Sequence, residues 1–184
     1  MQIRLATPAD AEALLQIYGY YVEYTAISFE YTTPTVLEFQ SRISKTLTAY
    51  PYFVAIEANQ IVGYAYAGPF RSRQAYKHWA EVSIYIDRSH RGMGIGKALY
   101  TALEEILVKQ NIYTLCACIA STDREDAHLT DASVNFHTRM GYRVSGKHTD
   151  CGYKFDKWYS ILLMEKSIRE KALHPHAFIP FPAL

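Results

Sequence analysis

The chain has 184 residues, of which 49% are hydrophobic, and its formal net charge at pH 7 is +1. This length fits one domain with a sizeable core, with or without a short tail. The balanced charge gives no electrostatic case for a nucleic-acid or membrane partner, and no apolar run approaches the roughly 18 residues that cross a bilayer.

The N-terminal part of the chain predicts one strand followed by two helices. Residues 2–6 alternate as a strand does and lack the apolar segment of a signal peptide, so we expect a cytoplasmic protein. Thr7 and Pro8 fit the N-cap and first position of a helix, whose apolar residues recur with the helical period as far as Val22. A second helix is predicted to begin at Thr33-Pro34.

Three strands and a helix are predicted in the middle of the chain. Residues 52–57 and 61–67 are predicted to form a hairpin around Asn59-Gln60, and residues 80–87 form the next strand. The helix over residues 97–110 carries a continuous apolar stripe, which indicates a buried face.

The C-terminal part begins with an apolar run over residues 112–119, which predicts a strand buried on both faces. Cys116 and Cys118 share one face of this strand, where we expect buried, reduced thiols. A charged loop over residues 120–130 follows, and then a short helix over residues 131–140 that Gly141 ends. Two closing strands are predicted over residues 142–148 and 153–165, and an irregular tail from about residue 170 onward. The apolar patch at residues 178–181 must pack on the domain or on a partner.

The predicted order is therefore β-α-α-β-β-β-α-β-α-β-β, an α/β architecture with a mixed sheet. We assign residues 1–166 to one domain and residues 167–184 to the tail. Together with Cys151, the chain's three cysteines show neither the spacing of metal ligands nor the even count of a disulfide framework, so we expect no bound metal.

Tyrosine is frequent, with 16 residues. Five of them cluster near the N-terminus: Tyr18, Tyr20, Tyr21, Tyr24 and Tyr31. They are expected either to line a pocket or interface, or to pack with their hydroxyl groups at the surface.

The most informative motif is the glycine turn, residues 91–96, which reads Arg-Gly-Met-Gly-Ile-Gly. It follows a predicted strand and opens a predicted helix. Unpaired backbone N–H groups at the positive end of a helix dipole form an anion site, and a pyrophosphate suits it best. Arg88 and Arg91 would add charge-assisted contacts.

Two other phosphate motifs do not fit this turn. A P-loop requires Ser or Thr after Gly96-Lys97, where Ala98 stands, and a glycine five residues before Gly96, where Arg91 stands. A dinucleotide fingerprint requires a third glycine where Lys97 lies, in the first strand–helix turn of its domain. What remains is the pattern R-x-x-G-x-G, with a purely structural glycine turn as the alternative.

This pattern resembles the acetyl-coenzyme A (acetyl-CoA) loop of the GCN5-related N-acetyltransferase (GNAT) superfamily. Over residues 1 to about 166 the chain is similar to the phosphinothricin N-acetyltransferase-like group. The segments that carry the similarity are residues 64–71 with Ala75-Tyr76, 81–86, 133–142 and 152–158. The chain departs from the group at Thr130, where the group often has asparagine, and in its longer charged loop over residues 121–128.

The resemblance implies the GNAT fold, a mixed and mostly antiparallel sheet with splayed central strands flanked by helices, and acetyl-CoA as co-substrate. Backbone groups of the fourth strand would hold the pantetheine arm, the glycine turn would hold the pyrophosphate, and the start of the late helix would add a contact. The implied coenzyme residues are Ile84, Tyr85, Ile86, Arg91, Gly92, Met93, Gly94, Ile95, Gly96, Lys97 and Ser133.

Two residues carry the implied acid–base chemistry. Glu81 would accept the proton of the attacking amine, directly or through a water; the alternative is a structural carboxylate paired with Arg71, Arg73 or Lys77. His137 lies where the phosphinothricin-like group has a histidine, and with a pKa near its free value of about 6.5 it would protonate the leaving thiolate. The alternative is a helix histidine with satisfied hydrogen bonds.

Four residues are candidates for binding the acceptor. Arg71, Arg73 and Tyr76 lie in the loop before Glu81, and arginine suits a substrate carboxylate or phosphinate; a solvated basic loop is the alternative. Phe29 matches a position that lines the acceptor pocket in the similar group.

The resemblance implies acetyl transfer to the amino group of a small amino-acid-like substrate, of the phosphinothricin or methionine sulfoximine/sulfone type, by direct attack in a ternary complex. The alternative acceptors are a polyamine, an aminoglycoside or a protein N-terminus. A sensor that binds acetyl-CoA without catalysis is the alternative from another class; it would keep the glycine turn without needing Glu81 and His137 together. The group also implies a homodimer.

Overall fold

Seven strands and four helices make up the fold in a computed structural model of the chain, which describes residues 1–184. The strands are β1 (Gln2–Leu5), β2 (Tyr52–Glu57), β3 (Gln60–Pro69), β4 (Trp79–Ile86), β5 (Thr114–Ser121), β6 (Arg143–Lys154) and β7 (Lys157–Ser167). The helices are α1 (Ala11–Tyr24), α2 (Val36–Leu47), α3 (Ile95–Lys109) and α4 (Ala132–Arg139). Short 3-10 turns lie at Pro8–Asp10, Gln74–Tyr76, Arg88–His90 and Phe181–Ala183.

All seven strands lie in one sheet, in the order β1-β2-β3-β4-β5-β7-β6. Every neighbouring pair is antiparallel except β4 and β5, which are parallel. Helix α3 connects these two strands, because parallel neighbours require a crossover. The predicted element order and the mixed, mostly antiparallel α/β sheet are confirmed.

Two predicted boundaries are wrong. Helix α2 begins at Val36 and not at Thr33-Pro34, because Thr35 is the N-cap and its Oγ1 accepts a first-turn N–H at 3.2 Å. Strand β6 continues to Lys154, so residues 149–152 do not separate the two closing strands. The hairpin turns instead at Phe155-Asp156, whose φ angles of 51° and 56° give the left-handed pair that a two-residue hairpin loop requires.

Each face of the sheet carries its own packed layer. On one face α3 buries Leu99, Leu103 and Leu107, each at most 1% exposed. On the other face, under α1 and α2, the rings of α1 and the central strands form an aromatic cluster: Tyr18, Tyr21, Tyr52, Tyr64, Tyr66 and Tyr85. Tyr24 and Tyr31 remain exposed, so the N-terminal tyrosines divide between core and surface.

The two cysteines of β5 lie in different environments. Cys116 is 2% exposed, as predicted, but Cys118 is exposed and the prediction of a buried thiol is wrong there. The reason is that β4 stops pairing with β5 at the Glu81–Cys116 pair, so nothing covers the next residue on that face. Cys151 is also a free, exposed thiol.

The tail docks on the domain. The Ile179 N–H donates to the Gln110 carbonyl at 3.2 Å and the Phe181 N–H to the Ala49 carbonyl at 3.0 Å. The ring of Phe178 lies 5.3 Å from that of Tyr50. The apolar patch therefore packs on its own domain. The assignment of residues 1–166 to the domain and residues 167–184 to the tail stays a prediction. No helix combines the length and the apolar character needed to cross a membrane.

Candidate active site

The parallel strands β4 and β5 diverge soon after they meet. They pair only over Trp79–Glu81 and Thr114–Cys116, and beyond these residues a gap opens between them. This gap, which we call the cleft, is lined by Ser83, Ile84, Cys118 and Ala120 of the two strands, and by Ile27, Ser133 and His137 from outside the sheet. The splayed central strands expected from the sequence are thus present.

The cleft passes through the sheet from one face to the other. Glu81, Ser83 and Tyr85 alternate onto the α1–α2 face, whereas Val82 and Ile84 pack with α3 on the opposite face. Ile27 therefore borders the cleft on the first face and His137 on the second. The two predicted acid–base residues lie on opposite faces of the sheet, with the cleft between them.

Only part of the β4 edge is free to bind a ligand. The Asp87 N–H donates to the Val62 carbonyl of β3 at 2.9 Å, so by alternation Tyr85 also turns its N–H and C=O towards β3. The Tyr21 hydroxyl donates to the Ile86 carbonyl at 2.5 Å and accepts from the Ile86 N–H at 3.3 Å. Of the three predicted pantetheine contacts, Ile84 is the one whose backbone groups open on the cleft.

The glycine turn has the conformation that its sequence predicts. Gly92 and Gly94 have φ angles of 79° and 81°, in the left-handed region that favours glycine. Gly94 is the N-cap of α3 and offers no side chain to cap it, so first-turn N–H groups remain available to an anion. Gly96 serves packing, since a Cβ there would lie 2.9 Å from Phe136 Cε2 of α4.

The arginines of this turn stack on tyrosines of α1. The Arg91 guanidinium lies 5.3 Å from the ring centre of Tyr21, and that of Arg88 lies 5.2 Å from the ring of Tyr20. Both arrangements are cation–π contacts that hold positive charge beside the glycine turn. This charge adds to the dipole of α3 in favouring an anion there.

His137 is buried, and both of its ring nitrogens have partners. It is 3% exposed; Nδ1 lies 2.8 Å from the Ser133 carbonyl and Nε2 lies 2.9 Å from the Tyr100 hydroxyl. Because a carbonyl only accepts, Nδ1 carries the proton and Nε2 accepts from Tyr100. Burial lowers the pKa of His137, although the hydrogen bond to the Ser133 carbonyl acts in the opposite direction. The expectation of a pKa near the free value is therefore wrong.

Tyr100 is a site residue that the sequence reasoning missed. It is 1% exposed, it lines the cleft, and its hydroxyl lies against the His137 ring. A signal was available, because a tyrosine beside Leu99 and Leu103 in the apolar stripe of α3 must find a buried partner for its hydroxyl.

Glu81 lies at the last paired position of β4, where the two strands begin to diverge, and it is not among the residues that line the cleft. Burial raises the pKa of its carboxyl, and the charge of Arg71 acts in the opposite direction. Glu81 takes part in no ion pair, so the alternative of a carboxylate paired structurally with Arg71, Arg73 or Lys77 lacks support. A half-buried carboxyl with a raised pKa is suited to accept a proton.

The predicted acceptor residues are less closely gathered. Arg71 stacks 4.4 Å from the ring centre of Phe70 and donates to its own neighbour's carbonyl, while Arg73 and Tyr76 are exposed in the same loop. Phe29 lies on the α1–α2 side, packed against a small separate core cluster. None of the four lines the cleft, and only Arg71 acts on Glu81.

Comparison with known proteins shows the family to which the chain belongs. A sequence model of the acetyltransferase (GNAT) domain matches residues 3–163. The chain belongs to the GNAT acetyltransferase family. It is an acetyl-CoA-dependent transferase, and the sheet described above is the GNAT fold.

Several relatives of this GNAT protein are named for the compounds that they acylate. The chain is 30% identical over 161 residues to phosphinothricin N-acetyltransferase of Streptomyces viridochromogenes, covering 88% of this chain and 84% of that protein. It is 30% identical over 175 residues to the L-amino acid N-acyltransferase MnaT of Escherichia coli, covering 93% and 96%. A phosphinothricin acetyltransferase of Sinorhizobium meliloti, solved with acetyl-CoA, matches with a TM-score of 0.84 at 27% identity over 98% and 97% of the two chains.

The residues of this GNAT domain fit acetyl-CoA. The N-terminus of α3 has no side-chain cap, and with Arg88 and Arg91 nearby it can bind the pyrophosphate. The free backbone groups of Ile84 can form hydrogen bonds with the amide groups of the pantetheine arm. No group of three or more His, Cys, Asp or Glu side chains is arranged to hold a metal ion.

The charged loop between β5 and α4 is fixed in place beside the cleft. The Asp126 carboxylate accepts bonds from the His128 and Leu129 N–H groups, from Lys157 Nζ and from the Tyr159 hydroxyl. Burial acts against ionisation, but these bonds prevail and lower the pKa of Asp126 to about 2. The loop therefore presents a defined wall near Ala120 and Ser133, both of which line the cleft.

Proposed function

We propose that this protein transfers acetyl from acetyl-CoA to the α-amino group of a small amino-acid-like acceptor, of the phosphinothricin or methionine sulfoximine/sulfone type, by direct attack in a ternary complex. The observation that carries the proposal is the cleft through the sheet, which separates Glu81 on one face from His137 on the other. The names of the relatives support the acceptor class.

The start of α3, strand β4 and the start of α4 hold the coenzyme. The N–H groups of residues 95–97 and the charges of Arg88 and Arg91 bind its pyrophosphate. Ile84 pairs with the pantetheine arm, and its N–H polarises the carbonyl that is attacked. Ser133 adds a contact from the start of α4. When bound, acetyl-CoA supplies the acetyl group as a thioester.

Glu81 acts as the general base on the acceptor side. The attacking nitrogen forms a bond to the acetyl carbon, and the proton that it loses passes to the Glu81 carboxylate, directly or through one water. The raised pKa of Glu81 makes it a better proton acceptor than an ordinary surface glutamate.

The hydrogen-bonded pair of His137 and Tyr100 acts on the other face of the cleft. As the carbon–sulfur bond breaks, the thiolate takes the hydroxyl proton of Tyr100, and the phenolate that remains is reprotonated from solvent after the products leave. The bond from His137 Nδ1 to the Ser133 carbonyl holds the imidazole in one tautomer, so Nε2 orients the Tyr100 hydroxyl that gives the proton.

Positive charge selects the acceptor. Arg71 is near enough to lower the pKa of Glu81 and is exposed, so it can pair with a substrate carboxylate or phosphinate. Arg73, Tyr76 and Phe29 complete the proposed acceptor contacts. The charge of Arg71, which acts on Glu81, disfavours a polyamine or an aminoglycoside, and a sensor would not need the raised pKa of Glu81. A homodimer and a cytoplasmic location belong to the same proposal.

The test is release of free thiol from acetyl-CoA with a panel of acceptors: phosphinothricin, methionine sulfoximine, methionine sulfone, ordinary amino acids and polyamines. We expect turnover with the amino-acid analogues, and a loss of about 10²-fold or more in kcat for Glu81→Gln with unchanged acetyl-CoA binding. Turnover confined to polyamines would refute the acceptor class. Binding of acetyl-CoA without turnover on any acceptor would favour the sensor.

A further inference from the structure

One lysine outside the cleft is buried without an ion-pair partner. Lys154, the last residue of β6, is 4% exposed, and its Nζ donates to the carbonyl oxygens of Val22, Thr25 and Ser28 at 2.6, 2.8 and 2.8 Å. These bonds use all three donors of the ammonium group. Burial lowers the pKa of Lys154, and the charge of Glu30 opposes this shift from a longer distance. The dipoles of the three carbonyl groups therefore stabilise the charged form of Lys154 directly.

The three carbonyls belong to one short stretch of chain. Val22 lies in the last turn of α1, where carbonyls have no partner within the helix and a positive charge suits the helix dipole. Thr25 and Ser28 lie in the segment that follows, residues 25–31, which we call the acceptor loop. This segment has no helix or strand of its own, so its shape depends on such bonds.

The same end of β6 holds the acceptor loop at two more points. The ring of Phe29 lies directly on Gly152, where an added Cβ would come 2.1 Å from Phe29 Cε2. The Tyr31 hydroxyl donates to the Tyr153 carbonyl. Three consecutive residues of β6 therefore contact the loop, and Lys154 is the one that makes several hydrogen bonds to it.

The acceptor loop reaches the cleft through Ile27. This side chain lines the cleft together with Ser83 and Cys118, on the α1–α2 face where Glu81 lies. The glycine turn and His137 make no bond to Lys154 or to the loop carbonyls that it binds. We therefore expect a change in the loop to alter the acceptor side of the cleft and to leave the coenzyme side intact.

We propose that Lys154 is a positioning residue for the acceptor: its hydrogen bonds to the Thr25 and Ser28 carbonyls, together with the bond to Val22 at the end of α1, hold the acceptor loop, and Ile27 within it, in the shape that binds the amine substrate. The inference rests on the proposed function, because that function places the acceptor on the α1–α2 face. Loss of the bonds weakens acceptor binding and leaves acetyl-CoA binding unchanged.

The first test is Lys154→Met, which keeps most of the side-chain volume and removes all three donors. We expect the acceptor KM to rise by about tenfold or more, with kcat and the KM for acetyl-CoA within about twofold of wild type. Lys147→Met is the matched control on the same strand, because Lys147 pairs only with the exposed Asp123, and it should behave as wild type. An unchanged acceptor KM, or a fall in kcat alone, would overturn the proposal.

A second readout does not depend on activity. Backbone hydrogen exchange over residues 22–31 should accelerate by about tenfold or more in Lys154→Met and not in Lys147→Met. If the wild type acetylates no amino acid but this exchange accelerates, the proposed function fails while the anchoring of the loop is supported. If exchange is unchanged, the role of Lys154 is refuted.

Lys154→Gln serves if the methionine variant does not fold. Its amide has two donors on a shorter side chain, so it retains part of the contact. We expect an acceptor KM and an exchange rate intermediate between those of the wild type and a fully released loop. A glutamine variant equal to wild type in both measurements would overturn the proposal.

Discussion

The buried contact between Tyr100 and His137 gives the sharpest test of the proposed mechanism. Tyr100→Phe removes the hydroxyl that lies 2.9 Å from His137 Nε2. The ring itself stays packed, since its centroid lies 5.4 Å from that of Phe136 and 6.0 Å from that of Tyr142. The substitution thus removes one donor and changes little else.

The expected effects follow from burial. His137 is 3% exposed, so Nε2 becomes a buried acceptor without a donor, which costs about 1–3 kcal/mol. For a domain of this size each kcal/mol lowers Tm by about 2–4 °C, so a loss near 2 kcal/mol lowers Tm by about 4–8 °C. Because the pair supplies the proton to the leaving thiolate, kcat falls by about 10²-fold.

Tyr142→Phe is the matched control. Its ring also lies against His137, at 5.2 Å, but its buried hydroxyl has no hydrogen-bond partner, so removing it leaves nothing unsatisfied. We expect an unchanged kcat and an equal or higher Tm. Thermal unfolding and thiol release are measured on both variants, to compare their stability and their turnover. If Tyr100→Phe matches Tyr142→Phe in both assays, the hydrogen-bonded pair has no role in catalysis.

Three further predictions concern other parts of the molecule. Glu81 acts when deprotonated and burial raises its pKa, so kcat/KM should fall with decreasing pH at a pH above the ordinary pKa of a glutamate. Arg71→Met should move this fall to higher pH, because the charge of Arg71 lowers the pKa of Glu81; an unchanged pH profile would show that Arg71 does not act on Glu81. Gly94→Asp should weaken acetyl-CoA binding more than Gly94→Ala, as both strain a φ of 81° and only aspartate repels a pyrophosphate; equal calorimetric affinities would refute the anion site. Truncation after Ser167 should lower Tm by several degrees, because Gln110 Nε2 loses the Ile179 carbonyl; an unchanged melting curve would show that the tail contributes no stability.

The elements were predictable from sequence because their signals are local. The apolar stripe of α3 and the alternation in β4 follow from periods of 3.6 and 2, and both elements lie where those periods place them. The turn at Phe155-Asp156 was missed because neither glycine nor asparagine marks it. The left-handed glycines of the glycine turn, Gly92 and Gly94, carry such a mark, and the turn was predicted.

The site depends more on contacts between distant parts of the chain. Tyr100 and His137 are 37 residues apart, and Lys154 and Val22 are 132 apart, so no window of sequence contains either contact. The exposure of Cys118 was missed for a related reason, since a pattern of apolar residues does not show where a neighbouring strand turns away. Residue types carried the predictions about the chemistry of the site, whereas burial and partners came only from the fold.

The extent of the free strand edge is set by one tyrosine. An unpaired edge is open to partners along its whole length. In β4 the Tyr21 hydroxyl bonds both polar backbone groups of Ile86, which confines the opening to Ile84. The Arg91 guanidinium stacks on the same ring, so Tyr21 also fixes positive charge beside the glycine turn. The aromatic layer under α1 therefore shapes the coenzyme edge on which the proposed chemistry depends.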